Sequence, residues 1–123
     1  MARLNKDFTY TQSSIADGDT DTYDFINGSN LVTQSNTDDY APFENVTIYN
    51  NGVVDLRVFI NSNQADTYKI LPKGVILSLE SVKPISIVFV ENASGGGTAG
   101  SYQLNVNNDV SQLSLLKRIG GVN

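Results

Sequence analysis

Val54, Leu56, Val58 and Ile60 alternate with Asp55, Arg57 and Phe59, and a repeat of two places one set on each face of an extended strand. The same period recurs along most of the chain: Phe8 and Tyr10; Tyr23 and Phe25; Val46 and Ile48; Tyr68 and Ile70; Val75, Leu77 and Leu79; Tyr102, Leu104 and Val106. Helical spacing is nearly absent. Asn, Gly and Pro punctuate these runs at short intervals, and they are the residues that turns require. The pattern predicts an all-β chain, an antiparallel β-sandwich or jelly roll of about seven to nine short strands.

At 123 residues the chain fits one domain, residues 1–123, with one core. A hydrophobic share of 40% against 17% charged residues keeps it clear of the composition that leaves chains disordered.

Local signals fix some details. Asn50-Asn51-Gly52 between Phe43–Tyr49 and Val53–Ile60 predicts a tight hairpin. The solvent side of the second strand would then carry Phe59. Pro72-Lys73-Gly74 predicts a type II turn with glycine at positive φ. Ile85–Val90, apolar on both faces, predicts a strand that is covered on both sides or meets a partner subunit. Glu91–Ser101, with Gly95-Gly96-Gly97, reads as a mobile end loop, and Ser29–Ala41 as a polar connection anchored by Leu31 and Val32.

The two ends lie outside this scheme. Residues 1–7 form a candidate N-terminal arm and 109–123 a C-terminal arm or helix. The latter reads either as a short helix with Val110, Leu113, Leu116 and Ile119 on one stripe, or as an extended arm with Leu113 and Leu115 facing one way.

The chain has no cysteine and no histidine, which removes disulfides, thiol nucleophiles, the commonest general base and the commonest zinc ligand. No catalytic site and no cofactor are expected. A net charge of −5 and scattered basic residues argue against nucleic acid and against an anionic membrane surface. The N-terminal residues lack the apolar stretch of a secretory signal, so synthesis without export is the expectation.

Asp17, Asp19, Asp21 and Asp24 are the one cluster of hard oxygen ligands that calcium would use, but the spacing departs from an EF-hand. The turn glycine would fall on Thr22 and the bidentate glutamate on Gly28. A solvated turn is the simpler reading. A glycosidase pair drawn from Glu44, Glu80 or Glu91 with Asp38 or Asp39 needs a separation that sequence does not measure. Gly95-Gly96-Gly97-Thr98 has the look of an anion cradle, yet neither a lysine nor a helix follows. Tyr40, Tyr49 and Phe59 are candidates for stacking on sugar rings or packing at a sandwich rim.

The runs Asn45-Val46-Thr47-Ile48-Tyr49-Asn50-Asn51-Gly52, Leu56-Arg57-Val58-Phe59-Ile60-Asn61, Ile70-Leu71-Pro72-Lys73-Gly74 and Ile85-Ser86-Ile87-Val88-Phe89-Val90 resemble, in architecture, small virion proteins of phages and archaeal viruses. The resemblance covers roughly Phe43 to Val106. It implies a capsid decoration, cement or minor capsid role, oligomerisation, and contact with a major capsid or other virion protein made in a host cytoplasm. It transfers no site residues. Among the residues themselves, the candidates for partner contact are Leu113, Leu115, Leu116 and Ile119 in the tail and Ile85, Ile87 and Phe89 in the apolar strand. The competing expectation is a carbohydrate-binding or adhesin-like module that takes a glycan.

Overall fold

A computed structural model of the protein describes residues 7–37, 40–62 and 67–108. Eight strands are present among them: β1 (Phe8–Ile15), β2 (Thr20–Asp24), β3 (Phe43–Tyr49), β4 (Leu56–Ile60), β5 (Lys69–Leu71), β6 (Ile76–Ile85), β7 (Ile87–Glu91) and β8 (Gly100–Asn107). One helical turn, α1 (Gln34–Thr37), lies in the β2–β3 connection. Apart from Asp7, the predicted arms fall outside the described residues, and with them Leu113, Leu115, Leu116 and Ile119.

The strands form two antiparallel four-stranded sheets, β1-β8-β3-β6 and β2-β7-β4-β5. β1 pairs with β8, β2 with β7, β3 with β6 and β4 with β5, so the second half of the chain matches the first in reverse order. A long ribbon hinged between β4 and β5 and wound around itself has this pairing, and the fold is a jelly roll.

Between the sheets the inward positions are apolar. Val46, Ile48, Leu56, Val58, Leu71, Val88, Val90, Leu104 and Val106 are all within 1% of complete burial. Each such side chain contributes about 1.5–3 kcal/mol by leaving water. Aromatic rings fill the β1–β2 side of the core: Phe8 lies edge-on to Phe43 at 5.7 Å and Phe43 to Phe25 at 5.2 Å, while Tyr10 is tilted against Tyr23 at 5.2 Å.

Two local expectations change. β3 and β4 do not form a hairpin, because Asn50-Asn51-Gly52 carries the chain from the first sheet to the second. None of the three takes the positive φ of a type I′ turn. Asn50 is instead a fully buried corner post. Its backbone exchanges hydrogen bonds with Val75 and Gly74, its Nδ2 donates to the carbonyls of Val54 and Leu71, and its Oδ1 accepts from Gly52. The Pro72–Val75 turn beside it does have the predicted form, with Gly74 at φ 77° and Val75 N donating to Pro72 O.

Ile85–Val90 is likewise not one strand. The chain changes sheets at Ser86, leaving Ile85 in the first and Ile87–Glu91 in the second. Asn61, at φ 61°, holds this break: its Oδ1 accepts from the amides of Ser86 and Ile87, and its Nδ2 donates to Pro84 O. Two more asparagines that follow directly on strands do the same work. Asn92 joins the β7 exit to Ile15 and Thr98, and Asn108 joins the β8 exit to Tyr40 and Glu44. A primary amide offers donors and an acceptor in one plane, so it replaces the ladder bonds a backbone loses on leaving a sheet.

Candidate interaction surfaces

The outward positions of the two sheets have opposite chemistry. On β1-β8-β3-β6 the register forms one cross-strand row of Thr9, Asn105, Thr47 and Ser78, and a second of Thr11, Gln103, Tyr49 and Ile76. Asn107 and Asn45 begin a third. No side chain in the first two rows carries a formal charge. Several are locked together: Asn105 Nδ2 donates to Thr9 Oγ1 at 3.0 Å, Asn107 Nδ2 to Asn105 Oδ1 at 2.8 Å, and Asn45 Nδ2 to Asn107 Oδ1 at 3.0 Å. Thr9, Thr47, Tyr49, Gln103 and Asn105 line a shallow depression of about 260 Å³.

On β2-β7-β4-β5 one outward row runs Thr22, Phe89, Phe59, with Asp24 opposite Ile87 beside it. Ile87 and Phe89 are half-buried there, pointing away from the core whose strand neighbours Val88 and Val90 fill. Ile85, grouped with them from the sequence, is fully buried and available to no partner. Phe59 does face outward as its alternation requires, but it is only 5% exposed. Tyr68 lies edge-on against it at 5.7 Å. Arg57 caps Tyr68 at 4.6 Å and pairs with Glu91 at 3.5 Å. Of the proposed stacking aromatics, therefore, Tyr49 is exposed, Tyr40 packs on Phe8, and Phe59 is covered.

An apolar corner joins the two faces at one end. Tyr49 and Ile76 are cross-strand partners, and Val75, Val53 and Ile70 follow through the β5–β6 and β3–β4 corners, with Val53 67%, Ile76 61% and Ile70 60% exposed. Ile70 and Ile76 flank the Pro72–Val75 turn, which Asn50 ties to the β3–β4 corner through Gly74 and Val75.

The aspartates do not converge on a cation. Among the described residues no three acidic side chains stand together as ligands. Asp24 caps its own turn by accepting from the amides of Ile26 and Asn27. Asp21 turns inward and accepts from Tyr102 Oη at 2.7 Å and Gln12 Nε2 at 3.0 Å. Asp17 accepts from the amides of Gly95 and Gly97, each at 2.9 Å. Hydrogen bonds from these two glycine amides hold its carboxyl below the usual carboxylate range. The glycine-rich loop is thus an anion cradle whose anion is part of the chain, which ties down a segment that reads from sequence as mobile. The possible glycosidase acids Asp38 and Asp39 lie outside the described residues. Glu44 and Glu91 stand on different sheets.

Tyr102 Oη lies 2.7 Å from Tyr23 Oη, between that hydroxyl and Asp21. Since Tyr102 donates to the carboxylate, Tyr23 donates to Tyr102. Burial pushes the Tyr23 phenol up to about 12 and raises Tyr102 as well. Both rings are within 1% of complete burial, so the relay has no access to a substrate.

No family model, curated protein or solved structure matches the chain. Among the described residues no helix is long and apolar enough to cross a membrane. The outward rows of the first sheet went unread as a surface in the sequence. Their signal was present in Phe8–Thr11 and Tyr102–Asn107, where each core residue alternates with threonine, glutamine or asparagine and never with a charge.

Proposed function

We propose that this protein is a non-enzymatic structural component of a virus particle that decorates or cements a capsid shell through protein–protein contacts. The observation that carries the reading is the reverse-order strand pairing, since the jelly roll is a recurrent architecture of viral capsid domains. The contact chemistry supports it. Ile87 and Phe89 supply an apolar strip on one face, and Val53, Ile70, Val75 and Ile76 an exposed apolar corner. Exposed apolar residues gathered at one end of a sandwich are candidates for covering by a partner. Such a protein acts by burying area between neighbouring subunits, about 1,600 Å² in a standard contact.

In this reading the chain self-associates or docks on a major capsid protein in a virion, with Leu113, Leu115, Leu116 and Ile119 of the tail as candidate contact residues. Particles banded on a density gradient from a producing culture should contain the chain at fixed stoichiometry to the shell protein. Mild chaotrope should release it with the shell intact. Its absence from particles sinks the reading. A chain ending at Asn108 tests the arm: assembly that survives truncation while stability falls assigns the tail to this subunit's own fold.

A further inference from the structure

Beyond a shell role, and independent of it, the geometry points to a binding site for a neutral glycan on the outer face of β1-β8-β3-β6, centred on Thr9, Thr47, Tyr49, Gln103 and Asn105. These five line the depression on that face, and all lie within two adjacent register rows that carry no formal charge. The protein as a whole has 21 charged side chains and a net charge of −5, so a neutral face across three strands is a selection of ligand chemistry. It holds no counter-charge for a sulfated, phosphorylated or sialylated ligand. An apolar partner would strip water from threonine, asparagine and glutamine groups without replacing their hydrogen bonds, which is costly.

A neutral saccharide meets both demands. Its hydroxyls both donate and accept, as amides and threonines do, and its C–H faces are weakly positive against the negative face of an aromatic ring. Tyr49 supplies that ring at 39% exposure, next in register to Gln103. The site is also partly set in place. Asn105 is fixed from both sides, by Thr9 through its Nδ2 and by Asn107 through its Oδ1, which lowers the ordering cost of binding. Gln103 and Tyr49 make no side-chain hydrogen bond among the described residues, leaving an amide and a phenol for the ligand. Shallow and solvent-open, the face predicts weak binding per site, with Kd on the order of 0.1–1 mM. Repetition on an assembly would multiply it.

The test is a nuclear magnetic resonance titration of the labelled full chain with neutral linear oligosaccharides, namely cello-, xylo-, manno- and galacto-hexaoses, beside sialyllactose and a heparin hexasaccharide. At least one neutral sugar should shift the amides of Thr9, Thr47, Gln103 and Asn105 in a saturable way. Y49A and Q103A should each weaken binding roughly tenfold, while T22A on the opposite sheet should leave it unchanged. No saturable shift with any neutral sugar at millimolar concentration overturns the proposal. So do binding confined to the charged sugars and shifts that map to the other sheet. The mapping uses the unmutated chain, so a variant that fails to fold does not shield the idea, and absence from virus particles would leave this result unaffected.

Discussion

The Tyr23 hydroxyl on β2 donates to the Tyr102 hydroxyl on β8 at 2.7 Å, across the interior of the sandwich, and Tyr102 passes the chain of hydrogen bonds to Asp21 at 2.7 Å. The middle member of such a relay matters most. Y102F leaves Tyr23 without its acceptor and Asp21 without one of its donors, and should cost about 2–3 kcal/mol. Y23F removes only the terminal donor and should cost about 1 kcal/mol. Urea denaturation of the two variants and the double variant measures the difference and the coupling.

The same phenols set an alkaline limit. The folded Tyr23 value, about 12, lies above the ordinary 10, so the unfolded chain loses its proton first as pH rises. Its stabilising contribution is complete below pH 10 and is lost progressively from there toward about 12. Denaturation between pH 9 and 12 should show a steeper decline in the wild type than in Y23F. Equal slopes would mean that Tyr23 is not the titrating group.

Asn50 and Asn92 each follow directly on a strand and are fully buried. Asn50→Ala leaves the carbonyls of Val54 and Leu71 without their donor, and Asn92→Ala does the same to Ile15 and Thr98. Each should lose about 2–4 kcal/mol. Aspartate keeps the shape but turns a carboxylate toward two carbonyls, so N50D should be less stable than N50A in thermal unfolding. The reverse order would show that packing, and not donation, holds the corner.

Asp17 organises Gly95 and Gly97 from the surface. Its carboxyl sits below the ordinary aspartate value of 3.8, so the contribution it makes is present above that pH and is lost as pH falls through the lower folded value. D17A should speed amide hydrogen exchange at Gly95 and Gly97 while leaving the β8 ladder protected. Unchanged exchange at those amides would dissociate the loop's order from this carboxylate.

Gly52 and Gly74 should both resist substitution, for different reasons. A Cβ on Gly52 would lie 2.7 Å from Ser101 N, so G52A should cost about 1–3 kcal/mol through displaced backbone. Gly74 has open space around it but φ of 77°, and G74A should cost about 1–2 kcal/mol through backbone conformation alone. G74N should recover part of that loss, since asparagine tolerates the left-handed region, whereas G52N should not improve on G52A.

Ile70 and Ile76 are each about 60% exposed and pack little within the subunit. I70K/I76K should therefore change monomer stability by no more than about 0.5 kcal/mol per site. If the apolar corner is a contact, sedimentation velocity should show assembly weakened in the same variant. Unaltered assembly removes this corner from the interface.

Alternation made the architecture legible. It placed Val54, Leu56, Val58 and Ile60 on one side, Tyr23 with Phe25, and Tyr102 with Leu104 and Val106, because a two-residue period is a local property of extended backbone. Partner choice is not local. Asn50-Asn51-Gly52 has the composition of a hairpin turn, and only the burial of Asn50 among the Val54 and Leu71 carbonyls turns it into a crossing between sheets. The solvent side of β4 shows the same limit: the period put Phe59 outside, but Tyr68, beyond the strand's own period, covers it.

By itself the sequence determined the class of fold, the two-faced strands, the turn at Pro72–Val75 and the want of histidine or cysteine chemistry, each of which depends on near neighbours or on composition. Tertiary structure alone decided which strands pair, how the four aspartates part company, and that Thr9, Thr47, Tyr49, Gln103 and Asn105 meet on one uncharged face. Those outcomes join residues as many as 96 positions apart, as Thr9 and Asn105 are. Hydrophobic burial fixes which side of a strand turns inward, while its neighbours are chosen by the packing of the whole core.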